Sequence, residues 1–361
     1  MKNDKIISML APSFLPATCV LELTYKCNHK CLFCSCPWEA DNDYKKRQEL
    51  SLDEWKRCIK TLTENGVFNI ALSGGEPLLN KNIKEIIKFA SSCMSDCIET
   101  IGDSLVSERK PPKMYLISNG ALINDEILKL CREHKVHLSM SLPGLRTFKD
   151  HTGFNNSSKV LKNFKKANKL GIDTTVNIAV TKKNLPELYE TISEALLAGA
   201  DSLLINRFMP GGRGLKSTDL MLSREELNEM LDIAEEVLST AKRYGSVGTE
   251  LPKCVINNPN KYKYLKVSTQ CSAAIDFFVI SPSGFIRTCN HSSIELDYFS
   301  DFMNLCQNSY WQKFAQKCYH PASCNECNLI SKCDGGCREA AHALYGNIDS
   351  IDPVFQLETP V

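Results

Sequence analysis

The stretch Cys19-Val20-Leu21-Glu22-Leu23-Thr24-Tyr25-Lys26-Cys27-Asn28-His29-Lys30-Cys31-Leu32-Phe33-Cys34 decides how the rest of this chain is read. Its first five residues form a short apolar run, the pattern of a buried strand. Three cysteines follow at once with the spacing C-x3-C-x2-C: Cys27, Cys31 and Cys34. Iron–sulfur clusters are normally held by four thiolates, so this triplet is one short. A site short of one protein ligand keeps a position open for another molecule, as catalytic zinc sites do. Taken alone, the same spacing also suits a zinc site or three unrelated core thiols.

Outward from this stretch, strand-like and helix-like segments alternate. Further apolar runs are Phe68–Leu72, Met114–Ser118, Val136–Ser141, Thr174–Val180 and Ser202–Asn206. Ser51-Leu52-Asp53-Glu54 and Ser223-Arg224-Glu225-Glu226 are capping boxes, the first helix stopping at Gly66 and the second running to about Tyr244. A third helix near Asn184–Gly199 carries Pro186 in its first turn. Six βα units in series predict an α/β protein with a parallel sheet and its helices outside. Six are too few for a closed eight-fold barrel, so the expected architecture is a partial (β/α)6 TIM-like barrel over 15–245. In such folds the loops at the C-terminal strand ends carry the chemistry, which is where the triplet lies. Ser95 to Pro112 reads as a long surface excursion. The βα rhythm pauses around Gly211–Gly214 and stops after Tyr244. A second, small Cys-rich domain is expected over 250–361, with helices and a hairpin turning at Ser281-Pro282-Ser283-Gly284.

One βα unit after the triplet stands Ser73-Gly74-Gly75-Glu76-Pro77. Paired glycines let a backbone approach a ligand closely, and the adjacent carboxylate can accept from an ammonium. Together, the C-x3-C-x2-C triplet with Phe33 before its third cysteine and this GGEP resemble the radical S-adenosylmethionine (SAM) superfamily. The resemblance implies that Cys27, Cys31 and Cys34 hold a 4Fe-4S cluster whose open iron chelates SAM, while Gly74, Gly75 and Glu76 grip the SAM amino group. Ser118-Asn119-Gly120 and Ser141-Leu142-Pro143-Gly144 resemble two further motifs of that superfamily, making Ser118 and Ser141 SAM-site residues. Asn177 stands where relatives have a polar residue facing the ribose, and Arg207 could meet a carboxylate; solvent-facing roles suit both equally. One departure is Thr152, which occupies the place of the arginine that binds the SAM carboxylate in many relatives. Arg146 or Arg207 are its candidate replacements.

The C-terminal cysteines Cys271, Cys289, Cys324, Cys327, Cys333 and Cys337 resemble the SPASM extension, which carries auxiliary 4Fe-4S clusters. That resemblance implies Cys271, Cys289 and Cys337 for a first cluster, with Cys254 as its fourth ligand, and Cys324, Cys327 and Cys333 for a second. No cysteine follows Cys337, so the second set's fourth ligand falls to Cys318, Asp349, Asp352 or His342, or else that set keeps an open iron or holds a smaller cluster. Paired C-x2-C cysteines also suit zinc ribbons. Cys19, Cys58, Cys93, Cys97 and Cys131 lie on strand or helix patterns and read as small buried hydrophobes. Cys36 and Cys306 receive no role.

A net charge of +1 with no basic stripe argues against nucleic acid and anionic membrane as partners. No apolar run reaches membrane-span length, and the N-terminus MKNDKIISMLAPSFLP is not a signal peptide. Eighteen cysteines without an export signal point to metal ligation in the cytoplasm rather than to disulfides. The resemblance implies reductive cleavage of SAM to a 5′-deoxyadenosyl radical that abstracts hydrogen from a substrate. The leading function is modification of a peptide by an oxidative cross-link, served by a flavodoxin- or ferredoxin-like reducing partner. With about twenty residues before the first strand, leader recognition is expected to need a separate binding protein or direct contact. Alternatives are a sulfatase-maturing enzyme, a small-molecule or tetrapyrrole enzyme, or a non-enzymatic iron–sulfur electron-transfer or scaffold protein. Asn290 after Cys289, where sulfatase-maturing enzymes carry a catalytic aspartate, disfavours the first, and the three-cysteine triplet beside GGEP disfavours the last.

Overall fold

The computed structural model describes residues 15–358 apart from 42, 102 and 103, so the N-terminal stretch read for a targeting signal lies outside the described residues. β1 (Thr18–Glu22) passes through α1 (Leu52–Glu64) to β2 (Asn69–Ser73). After α2 (Ile83–Ser92) the chain forms β3 (Ser95–Ile101), β4 (Ser104–Lys110) and β5 (Lys113–Ser118). There follow α3 (Asp125–Glu133), β6 (His137–Ser141), α4 (Phe148–Thr152), α5 (Ser157–Lys169), β7 (Thr174–Val180), α6 (Leu188–Leu197) and β8 (Ser202–Arg207). The remainder comprises α7 (Arg224–Ala241), β9 (Tyr244–Val247), β10 (Leu265–Lys266), β11 (Phe277–Ile280), β12 (Ile286–Arg287), α8 (Ser309–Ala315) and α9 (Arg338–Tyr345).

The main sheet runs β10-β9-β8-β7-β6-β5-β2-β1-β11-β12 and is parallel except for the terminal β11–β12 hairpin. The six expected strands form its centre as a TIM-like partial barrel. Apolar residues on alternate positions explain the layering. Cys19, Leu21, Ile70, Leu72, Leu116 and Leu138 point to the helices and are completely buried with Trp55, Cys58 and Ile59 of α1. Val20, Ala71 and Val279 point the other way and form a small lumen cluster against Tyr115 and Ile117.

Both capping boxes are formed. The Ser51 amide donates to Glu54 Oε2 at 2.8 Å and the Ser223 amide to Glu226 Oε2 at 2.7 Å. The second helix stops earlier than its pattern suggests, because Lys242 adopts a left-handed conformation (φ 51°). Tyr244 thereby opens β9, paired with Ser202 of β8, and the parallel rhythm continues through β10 instead of ending. The stretch 95–112 is an antiparallel hairpin, β3 with β4, outside the main sheet. The expected hairpin at Ser281–Gly284 is present, with Gly284 at φ +91° against the Tyr298 ring. Through it the Cys-rich region joins the barrel sheet, Thr18 to Leu21 pairing with Phe277 to Ile280. No described helix is long and apolar enough to cross a membrane.

Candidate active site

The Cys27–Cys34 loop leaves the C-terminal end of β1 and is clamped by backbone from three other loops. Gly75 and Glu76 amides donate to the Thr24 and Lys26 carbonyls, each at 2.8 Å. Lys30 and Leu32 amides donate to the Thr152 and His151 carbonyls, each at 2.9 Å. The Gly214 amide donates to the Cys34 carbonyl at 3.0 Å, and Arg213 donates to the Cys31 carbonyl at 3.2 Å. A β-carbon on Gly75 would lie 2.2 Å from the Lys26 oxygen, and one on Gly212 2.2 Å from the Cys36 oxygen. These glycines let backbone lie against backbone, and the pause at Gly211–Gly214 is the segment that packs on the cysteine loop.

The chemistry of the donor set fits a cluster. Cys27, Cys31 and Cys34 lie within electrostatic reach of one another. Burial pushes the Cys27 thiol up to about 11 and the Cys31 thiol higher still, so these thiolates call for a compensating cationic centre. The His29 amide donates to Cys27 Sγ at 3.4 Å, a hydrogen bond that favours the thiolate. Cys34 is held below the ordinary thiol range, chiefly by a hydrogen bond from Cys36, a neighbour to which the sequence alone gave no role. Among the described residues, no three His, Cys, Asp or Glu side chains converge as a single ion would require. Three thiols on one loop, within electrostatic reach of one another, are a donor set that a four-iron cluster with one open iron would use.

Glu76 is completely buried at the end of β2. Its carboxylate accepts from Ser118 Oγ (2.8 Å), the Asn119 amide (2.8 Å) and the Leu78 amide (3.2 Å). It thus stands behind the cavity wall and ties β2 to β5. Asn119 continues the link to the cysteine loop through Asn28 Oδ1 at 2.7 Å. Burial outweighs these donors and raises the Glu76 carboxyl from 4.5 to about 7. A carboxyl whose folded pKa is raised contributes stability that is full below its unfolded pKa and is lost as pH rises through the folded one. The stability advantage of wild type over Glu76→Gln should therefore shrink by about 3 kcal/mol between about pH 4 and pH 8. Denaturant titrations across that range test this; a pH-independent difference would refute it.

A cavity of about 440 Å³ opens at the C-terminal strand ends. Cys27, Cys31, Cys34, Cys36, Gly74, Gly75, Ser118, Ser141, Asn177 and Arg207 border it, as do Cys271, Cys289 and Cys337. Arg207 is already engaged: its guanidinium clasps Asp352 at 2.7 and 2.5 Å, both side chains being buried. Asp352 also accepts from the Cys337 amide at 2.9 Å, so its oxygens serve this clasp rather than a cluster. Arg146 pairs with the buried Glu187 and the exposed Glu190 and is not among the residues that line the cavity. Thr152 is buried, its hydroxyl on the Phe148 carbonyl at 2.8 Å while its own carbonyl holds the cysteine loop. Asn290 donates to Glu22 Oε1 at 3.2 Å, beside the buried Glu22–Arg287 pair, a contact that no local sequence signal announces.

The C-terminal cysteines fall into two sets. Cys271, Cys289 and Cys337 are buried near one another at the cavity. Cys324, Cys327 and Cys333 lie outside its lining, and Lys253, the residue before Cys254, donates its amide to Cys333 Sγ at 3.2 Å. Cys318 is exposed, with its thiol on the Gln316 carbonyl at 3.7 Å. As expected of core thiols, Cys19, Cys58 and Cys131 are buried while Cys93 is half-buried; the side chain of Cys97 lies outside the described residues.

Residues 21–195 match the radical SAM superfamily. A PqqA peptide cyclase of Bradyrhizobium diazoefficiens is 28% identical over 95% of this chain and 87% of its own length. That of Gluconobacter oxydans is 25% identical over 95% and 91%. Among solved structures, Streptococcus suis SuiB bound to its precursor peptide SuiA superposes with a TM-score of 0.71 over 97% of this chain and 78% of that one, at 16% identity. Native anSMEcpe with bound AdoMet superposes with a TM-score of 0.70 over 94% and 95%, also at 16% identity. The two structural likenesses establish the fold.

Proposed function

This chain belongs to the radical SAM superfamily, and from that premise we propose that it modifies a peptide by an oxidative cross-link. The observation that carries the reading is one cavity lined both by Cys27, Cys31, Cys34, Gly74 and Gly75 and by Cys271, Cys289 and Cys337. The PqqA peptide cyclases, similar along nearly the whole chain, supply the substrate class. Cys27, Cys31 and Cys34 would hold the 4Fe-4S cluster, and Gly74 and Gly75 present open backbone to SAM. When bound, this pair supplies hydrogen-atom abstraction from an unactivated carbon through one-electron cleavage of SAM.

The chain's own residues then position and shield. Glu76 fixes Ser118 and Asn119 on the cavity rim, while Phe33, Phe148, Phe208 and Phe314 line it and exclude water. Cys271, Cys289 and Cys337, which line the same cavity, would hold an auxiliary cluster. Asn290 beside Glu22 and Arg287 presents an amide, not a proton-accepting carboxylate, which disfavours the sulfatase-maturing alternative. The free thiols of the described cysteines suit a reducing, cytoplasmic setting, with a flavodoxin- or ferredoxin-like donor and, for leader recognition, a separate binding protein.

The test is mass spectrometry on anaerobically reconstituted protein given SAM, a reductant and the short peptides encoded beside its gene. The expected product is a peptide two hydrogens lighter. One hydrogen is recovered in 5′-deoxyadenosine, and the other leaves as a proton and an electron. 5′-Deoxyadenosine formed only with a small-molecule substrate, and no mass change in any peptide, would overturn the peptide reading.

A further inference from the structure

We propose that Cys254 completes a four-thiol set with Cys324, Cys327 and Cys333, leaving Cys271, Cys289 and Cys337 as a three-thiol set on the cavity wall. This rests on reading the C-terminal cysteines as auxiliary-cluster ligands, and it departs from the grouping that the sequence pattern suggests.

The backbone places Cys254. Lys253 donates its amide to Cys333 Sγ at 3.2 Å, so the residue next to Cys254 is pinned to a member of the second set. The Gly335 amide donates to the same sulfur at 3.4 Å. Two amide donors on one sulfur favour a thiolate there. The Arg224 guanidinium holds the Cys254 carbonyl at 3.0 Å and fixes the short turn Lys253–Val255 at the start of α7. Beyond the effect of burial, the charges that act on the Cys254 thiol are those of Cys333, Cys324 and Cys327. Those acting on Cys271 and Cys289 include Cys337 but not Cys254.

Position separates the two sets. Cys271, Cys289 and Cys337 are buried and border the cavity, whereas Cys254 is exposed and Cys324 and Cys327 are half-buried, all three away from it. Cys254, far upstream of the second set in the sequence, is brought beside it by the contact of the Lys253 amide with Cys333 Sγ. Four thiolates suit a cluster that only passes electrons, and three beside the cavity leave one iron without a cysteine.

The test compares iron content and electron paramagnetic resonance of the full chain, reconstituted anaerobically, with those of Cys254→Ala, Cys318→Ala, Cys324→Ala and Cys289→Ala. Wild type should hold about twelve irons, four for each cluster. Cys254→Ala should lose iron and give the altered spectrum of Cys324→Ala, while Cys318→Ala keeps the wild-type iron and spectrum. A Cys254→Ala spectrum matching Cys289→Ala, or unchanged from wild type, overturns the assignment. Because Cys254 is exposed, its truncation opens no core cavity. The change in the Cys27–Cys34 cluster signal on adding SAM serves as the folding control, and Cys254→Ser as the second variant should show the same selective perturbation. About four irons in wild type would instead refute the auxiliary-cluster reading itself, and the proposal with it. One zinc in place of the outer irons, lost in Cys254→Ala, would refute only that set's cluster reading and leave the four-thiol grouping standing.

Discussion

Replacing Cys27, Cys31 and Cys34 together by alanine is expected to lower 5′-deoxyadenosine formation to the background of SAM and reductant alone. The three thiols sit on one loop at the end of β1, held by carbonyl and amide contacts from α4 and from the loops after β2 and β8. Those contacts are backbone contacts, so the variant keeps its loop while losing the three thiolates that would hold the first cluster. Anaerobic reconstitution followed by chromatography of the products measures the effect directly. A suitable control is Cys58→Ala, which removes a completely buried thiol of α1. It should cost about 1 kcal/mol of stability and leave 5′-deoxyadenosine formation intact. Product formation in the triple variant at wild-type levels would remove the basis for assigning the first cluster.

Arg207→Ala should destabilise the folded chain by about 3–5 kcal/mol, the range for removing one partner of a buried pair. Arg207 and Asp352 are 5% and 0% exposed, and the alanine leaves the Asp352 carboxylate without its cation. Two consequences separate this from an ordinary core truncation. Arg207→Lys should recover little, because an ammonium cannot reproduce the two-pronged clasp. Arg207→Met with Asp352→Asn should recover much of the loss, because no uncompensated charge then remains. Denaturation midpoints measure all three, and a loss below about 1 kcal/mol in Arg207→Ala would show that the pair is solvated. Since Asp352 also accepts from the Cys337 amide, Arg207→Ala should loosen the inner cysteine set, and a cluster reconstituted there should be lost on mild chelation.

The contrast between Glu76 and Arg207 shows how far local sequence reaches. The GGEP resemblance puts Glu76 at the SAM site, and the end of the sixth strand makes Arg207 a candidate there; both strand ends are where they were expected. What each carboxylate or guanidinium touches is another matter. Glu76 turns to Ser118 and Asn119 on the neighbouring strand end, and Arg207 turns to a residue 145 positions away. Spacing along a strand fixes which face a side chain takes; it carries no information about which distant polar group arrives to meet it.

The sequence by itself determined the six central strands, the capped helices, the parallel order and the loop that bears the first cysteine triplet. Each depends on hydrophobic period, capping residues or glycines acting within a few residues. Tertiary structure alone decided the rest. It extended the sheet past Tyr244, because Lys242 ends α7 and frees Tyr244 to pair with β8. It joined the Cys-rich region to β1 through β11, and it turned Gly212 and Gly214 onto the cysteine loop. It also set the Lys253 amide, next to Cys254, on the sulfur of Cys333. Thiols, carboxylates and guanidinium groups have no periodicity of their own, so their partners are set by how the whole chain packs.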